Sequence, residues 1–169
     1  MKKIIFGTIM MSLLLFSSCI KSPLNTLHIG QVGGGTWAFA GVIDTATSCS
    51  YDTTFEAMSA SNYKSGNFTN YTTIRCGYKN RLVSGTYTVV PTTVVMAPYQ
   101  INFEIDYGLG GTNGNSFYSL GTGANQTVNV SVSGNKVTII GSGINIYCPV
   151  NHPTAADTSV LTLNLYAPY

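Results

Sequence analysis

The sequence predicts an all-β domain, and three observations predict it. Short alternations of apolar and polar residues recur along most of the chain. Gly and Asn cluster in the gaps between them. No segment beyond residue 35 repeats its apolar residues at helical spacing. The expected architecture is a single, mostly antiparallel β-sandwich of immunoglobulin-like or jelly-roll type, with about nine strands. A closed barrel is the alternative.

The first expected strand is "GTWAFAGVIDT", Gly35 to Thr45, where Trp37, Phe39, Gly41 and Ile43 alternate with Ala38, Ala40 and Val42. Both of its faces are apolar, as in a strand covered on both sides, and Trp37 is assigned to the core. "TFEAMSAS" then places Phe55, Ala57 and Ser59 on one face and Glu56, Met58 and Ala60 on the other. "YTTIRCGY", Tyr71 to Tyr78, aligns Ile74, Cys76 and Tyr78, and "GTYTVV" is stopped by Pro91. "YQINFEIDY" is the clearest strand: Tyr99, Ile101, Phe103, Ile105 and Tyr107 share one face, with Gln100, Asn102, Glu104 and Asp106 on the other. Gly108 to Asn115 reads as a Gly/Asn loop, and "SFYSL" as a short strand. "QTVNVSVSGNKVTIIG" is a hairpin turning at Gly134-Asn135. "INIYC" and "TSVLTLNLYA" complete the set, the latter with Leu161, Leu163 and Leu165 facing inward. A transmembrane barrel would need about 9–11 residues per strand with one face turned to lipid, longer than these alternations.

Before the β region the chain opens on Met1, Lys2 and Lys3, followed by "IIFGTIMMSLLLF" from Ile4 to Phe16. A membrane span takes about 20 apolar residues, so this run is short for one. A basic start before a short apolar stretch is the export-signal pattern. Ser17, Ser18 and Cys19 come next, and the stretch resembles a lipobox, with Phe16 where Leu is commonest. In lipoproteins the signal is cut before that cysteine, whose thiol receives diacylglycerol. The resemblance implies a signal over residues 1–18, a lipidated Cys19 and flexible tether over 19–35, and the β-sandwich over 36–169. Pro23, Asn25 and Gly33-Gly34-Gly35 suit a tether. Burying acyl chains gains roughly 0.8 kcal/mol per methylene, so several chains make a stable anchor.

Charged residues make up only 8% of the chain, so its polar surface must come from Thr, Ser, Asn and Gly. With Lys2 and Lys3 removed, six basic residues face six acidic ones, and there is no basic patch. Nucleic acid is therefore not an expected partner. Cys49, Cys76 and Cys148 remain after Cys19. In an oxidising compartment they predict one disulfide and one leftover thiol, with all three pairings open. Their spacing does not match a zinc site; His28 falls in the tether and His152 beside Pro153, so no metal and no cofactor is expected.

Chemistry is sparse. Glu104 and Asp106 project from the same face of one strand, about 7 Å apart, a distance at which a glycosidase pair could sit. Alternate polar residues on a solvated strand give the same pattern, and that reading is preferred. No serine carries a G-x-S-x-G setting, and no phosphate or dinucleotide fingerprint follows a strand. The loops Gly108–Asn115 and Asp44–Thr54 offer oxygens without the acidic spacing of calcium sites. Eleven Tyr and one Trp suggest a binding surface instead, with Tyr51, Tyr63, Tyr71, Tyr78, Tyr118 and Tyr147 near turns. Sugar C–H faces pack on aromatic rings, which makes Tyr118, Asn115, Asn102 and Asn145 candidate ligand contacts. The competing reading is that Tyr is a common strand residue with one wet end. Function is thus expected to be a non-catalytic binding or structural accessory; a carbohydrate-binding accessory is second and a hydrolytic enzyme third.

Taken in order, the lipobox, the Gly-rich tether, "TWAFAGVIDTAT", "SGTYTV", "YSLGTGANQTVNVSVSGNKVTII" and the closing "LTLNLYA" resemble the small β-sandwich lipoproteins of Bacteroidota bacteria, a group of uncharacterised function. The resemblance implies a place in the cell envelope, at the outer membrane, with the membrane held through the lipid and a glycan or an envelope protein as partner. It transfers no catalytic residue. Surface export in that group goes with acidic residues after the cysteine. Here Ile20, Lys21 and Ser22 follow, which leaves both the periplasmic and the surface-facing orientation open. Asp44-Thr45-Ala46 and Asp52-Thr53-Thr54 resemble the O-glycosylation acceptor of the same bacteria, which makes Thr45 and Thr53 candidate modification sites.

Overall fold

A computed structural model describes residues 33–63, 71–108, 115–123, 126–148 and 158–169, leaving the side chains of Tyr63 and Asn115 aside. Residues 31–169 belong to one compact unit. Its strands are β1 (Gly34–Phe39), β2 (Val42–Thr45), β3 (Ser48–Asp52), β4 (Ala57–Tyr63), β5 (Tyr71–Tyr78), β6 (Gly85–Val89), β7 (Gln100–Gly108), β8 (Asn115–Ser119), β9 (Thr127–Ser133), β10 (Lys136–Tyr147) and β11 (Thr158–Pro168). There is no helix among the described residues. The fold is the expected single all-β domain, with eleven strands.

One hydrogen-bonded path joins them in the order β2-β1-β11-β10-β9-β6-β7-β5-β4-β3, and β8 bridges β7 and β10. The β6–β7 pair is parallel; the remaining pairs are antiparallel. The two ends of the path meet through consecutive strands. β2 pairs with β1, and β3 pairs with β4. Between them Ala46 donates to the Gly35 carbonyl (2.9 Å) while Thr47 donates to the Ser61 carbonyl (2.8 Å), so the chain changes partners at this corner. β3 also packs beside β11. Gly33 sits in this seam, where a Cβ would strike the backbone of Cys49, Tyr166 and Ala167. The result is a sandwich-like body made by rolling one sheet.

Alternation feeds a single core. Trp37, Ile74, Phe103, Ile101, Ile105, Ile139, Ile146 and Leu161 are among its fully buried side chains. Each fully buried side chain of this size stabilises the fold by roughly 1.5–3 kcal/mol. The expected inward faces of the segments now β5, β7 and β11 are buried at Ile74, Cys76 and Tyr78, at Ile101, Phe103 and Ile105, and at Leu161, Leu163 and Leu165; at the ends of the β7 face, Tyr99 precedes the strand with positive φ (59°) and is exposed, and Tyr107 is half-buried.

Four expectations are corrected. The stretch from Gly35 to Thr45 is a hairpin: Ala40 and Gly41 adopt positive φ (50° and 77°), and Phe39 pairs with Val42. Its two apolar faces therefore belong to different strands; Trp37 and Phe39 point inward from β1, while Ile43 of β2 is exposed. The front of "TFEAMSAS" is a turn. Asp52 Oδ1 accepts from the Thr54 (2.7 Å) and Phe55 (3.1 Å) amides, an Asx-type turn that leaves Phe55 outside. The hairpin's second strand and "INIYC" are one strand, β10, in which a register shift between Gly141 and Ile144 absorbs the break in alternation. Asp44–Thr54 is accordingly not a loop; it holds the end of β2 and all of β3.

Candidate functional site

The outward residues of β5, β7, β8 and β10 form a polar and aromatic row. Arg75 pairs across the sheet with Glu104, Glu104 with Tyr118, and Tyr118 with Tyr147. At about 4.8 Å per strand the row runs roughly 14 Å. Alternation sets it: Arg75 lies between buried Ile74 and Cys76, and Glu104 between buried Phe103 and Ile105. Arg75 and Glu104 form an ion pair at 3.9 Å, with 52% and 29% of their side-chain surfaces exposed. At that exposure the pair contributes at most about 1 kcal/mol to stability. The Tyr118 and Tyr147 rings stand 6.4 Å apart, tilted by 57°.

Beside the row opens a cleft of about 270 Å³ lined by Phe55, Glu56, Arg75, Met96, Asn102 and Glu104, among others. Asn102 pairs with Gly77, and its amide lies where a Cβ at Gly77 would be, so the glycine lets Asn102 fold flat across β5. Glu56 holds a left-handed backbone (φ 47°), and its Oε1 accepts from the Asn80 amide at 2.7 Å. The walls are the 53–56 turn and the segment after β6. The cleft thus has a polar floor and an apolar rim at Phe55 and Met96.

Of the predicted ligand contacts, Asn102 and Tyr118 flank Glu104 on this face. Asn145 projects from the same side of β10 as Tyr147, but its amide donates to the Thr122 carbonyl (3.1 Å) and its backbone N–H to Gln126 Oε1 (2.8 Å). It fixes the segment between β8 and β9. Asn115 pairs with Tyr107 at the start of β8, and its side chain lies outside the described part. Tyr147 was named among the tyrosines of a binding surface but not as a ligand contact, and Arg75, Phe55, Glu56 and Met96 were not anticipated. Their signal was the outward slot of an alternating strand or a turn, but only the pairing of β5, β7, β8 and β10 brings them together.

The other candidates are scattered. Asp106 accepts from the Ser116 hydroxyl at 2.6 Å, and Glu104 faces Arg75, so each carboxylate of the expected pair already has a partner. Thr45 and Thr53 are both exposed, whereas Asp44 is buried and accepts from the Asn62 amide at 2.7 Å. Cys49 and Cys76 are buried free thiols on either side of β4. Two strand spacings, about 9.5 Å, exceed the roughly 7 Å Cα reach of a disulfide. Burial pushes the Cys49 thiol up to about 12, and burial also raises the Cys76 thiol, with a smaller contribution from neighbouring Cys49. Cys148 is buried where β10 ends. Cys19, His28 and His152 lie outside the described residues.

Four of the remaining tyrosines, Tyr51, Tyr78, Tyr87 and Tyr169, serve the fold. Tyr51 stacks on Tyr78 (5.5 Å) and on Tyr169 (5.2 Å). The Tyr51 hydroxyl accepts from the Leu82 N–H (3.1 Å), and the Tyr169 hydroxyl donates to the Leu82 carbonyl (2.6 Å). The Tyr87 hydroxyl accepts from the Val83 N–H (3.1 Å) and donates to its carbonyl (3.2 Å). Three phenols thus satisfy two consecutive residues of a loop that closes one end of the roll. Searches against protein-family models, curated proteins and solved structures find no match for this chain.

Proposed function

We propose that the protein is a lipid-anchored binding accessory of the bacterial cell envelope, non-catalytic, with the row Arg75–Glu104–Tyr118–Tyr147 as its ligand face. The observation that carries this reading is that row, with Asn102 beside Glu104 on the same face of β7. Half-buried tyrosine rings offer apolar faces, and Glu104, Arg75 and Asn102 offer a fixed donor and acceptor pattern. That combination suits a glycan, whose C–H faces pack on rings while its hydroxyls bond to the flanking polar groups. The length of the row accommodates a short oligosaccharide. The partners already held by Glu104 and Asp106 favour binding over acid–base chemistry. The anchor rests on the lipobox-like stretch ending at Cys19.

A glycan array probed with the protein tests the ligand face. A hit that Tyr118→Ala, Tyr147→Ala and Glu104→Gln each weaken at least tenfold, with folding intact, supports it. A hit indifferent to all three substitutions refutes this face as the site. For the anchor, metabolic palmitate labelling and membrane recovery should both be lost in Cys19→Ala; retention of both refutes lipidation at that residue.

A further inference from the structure

The end of the roll at which the chain enters β1 carries a second surface. Gly33 lies there against Ala167 and Cys49. Tyr169, just after β11, donates its N–H to Asn135 in the β9–β10 turn (2.7 Å) and its hydroxyl to Leu82. The Tyr78 N–H donates to the Glu56 carbonyl (3.0 Å), which ties the 53–56 turn to the 79–84 loop. Gly85 faces the Tyr99 ring, which adds the segment leading into β7. From these adjoining loops project Phe55 (73% exposed), Val95 (89%), Tyr99, Val83 and Val94.

A lone exposed apolar side chain is ordinary, but a group on neighbouring loop tips is a docking surface. Lys79, Arg81 and Lys136 stand at the same end. Asp52 and Glu56, the acids nearest them, turn their carboxylates onto the Thr54, Phe55 and Asn80 amides. Arg81 and Lys136 lie over the Tyr169 and Tyr166 rings, at 4.0 and 4.2 Å. Apolar tips interleaved with cations match a phospholipid boundary, where acyl chains meet phosphates.

We infer that this end of the domain rests on the bilayer, with Phe55 and Val94-Val95 in the headgroup boundary and Lys79, Arg81 and Lys136 toward lipid phosphates. The inference rests on the anchor reading above. Fourteen residue steps separate Cys19 from Gly33, a covalent reach of at most about 50 Å, and Gly33 is the described residue nearest the anchor in sequence. The opposite end, at the β1–β2 turn, lies one strand length further off, roughly 20 Å.

The test uses the full chain, processed in a bacterial host and reconstituted in phosphatidylethanolamine/phosphatidylglycerol vesicles. Nitroxide labels are placed at Phe55→Cys, Val95→Cys and, at the far end, Val42→Cys; Cys49, Cys76 and Cys148 are buried and take no label. Labels at 55 and 95 are expected to collide with oxygen several-fold more readily, relative to a water-soluble nickel chelate, than the label at 42. Water-like values at 55 and 95 on chains whose Cys19 carries palmitate overturn the docking inference while leaving the anchor intact. Spin–spin broadening at 55 and 95 with water-like values assigns the patch to a second copy and also overturns it. Chains without palmitate at Cys19 refute the anchor, and the docking with it.

Discussion

Replacing Ser119 by Ala should destabilise the domain by about 3 kcal/mol. Ser119 is fully buried; its hydroxyl donates to the Val90 carbonyl (2.6 Å) and accepts from the Phe103 amide (3.1 Å). The β7–β8 ladder runs only as far as the Glu104–Tyr118 pair, so beyond it the side chain supplies what the backbone no longer does. Alanine leaves one buried donor and one buried acceptor without partners. Each costs about 1–3 kcal/mol, giving about 2–6 together. With a urea m-value of about 2 kcal/mol/M, the midpoint should fall by about 1.5 M, read by circular dichroism. Amide exchange at Phe103 should quicken in step. Because Ser119 adjoins Tyr118, the variant should also lose affinity for any ligand of the row while still folded. A stability loss below about 0.5 kcal/mol, with Phe103 exchange unchanged, refutes the reasoning.

Other perturbations have definite expected outcomes. The Trp37 indole N–H is buried without a hydrogen-bond partner, so Trp37→Phe removes an uncompensated donor and should stay within about 1 kcal/mol of the native protein. Trp37→Ala should cost about 3–5 kcal/mol; equal losses from the two variants in urea melts would contradict the missing partner. Tyr169→Phe keeps the stack on Tyr51 but leaves the Leu82 carbonyl without that donor, and should cost about 1 kcal/mol in urea melts, where an unchanged midpoint would contradict the bond. The raised thiols set a pH dependence. An unfolded thiol ionises near 9.0, whereas folded Cys49 holds its proton to about 12, and Cys76 is raised as well. Above pH 9 the unfolded chain therefore binds fewer protons, and stability is lost as pH rises toward 12, by up to about 1.4 kcal/mol per pH unit for each thiol. Urea melts at pH 8 and pH 10.5 with equal midpoints would contradict this.

Much of the strand content was legible because solvent on one side and core on the other impose a period of two. That rule sufficed for β5, β7, β9 and β11, and the Gly134-Asn135 turn announced itself. It misled where apolar residues belong to two strands, as Ala38 and Ile43 do across the Ala40-Gly41 turn. It also failed at the front of β4, where the Asp52 carboxylate holds a turn and turns Phe55 outward. The candidate site was half legible. Asn102 and Tyr118 stand out as polar and aromatic residues on outward slots, but their neighbours Arg75 and Tyr147 come from strands paired only in three dimensions. Tyr51, Tyr87 and Tyr169 were unreadable for a related reason. Whether a phenol meets a ligand or a peptide group depends on which loop passes over it.

The partnership of β1 with β11 ties the order of synthesis to the time of folding. Residues near position 36 wait for residues near position 164 before the roll can close. Contacts this distant in sequence make for slow folding, in the range of milliseconds to seconds typical of β topologies. Until β11 arrives, β1 and β10 each lack a neighbour, so a partly made chain exposes open edges at which chains can pair wrongly and aggregate.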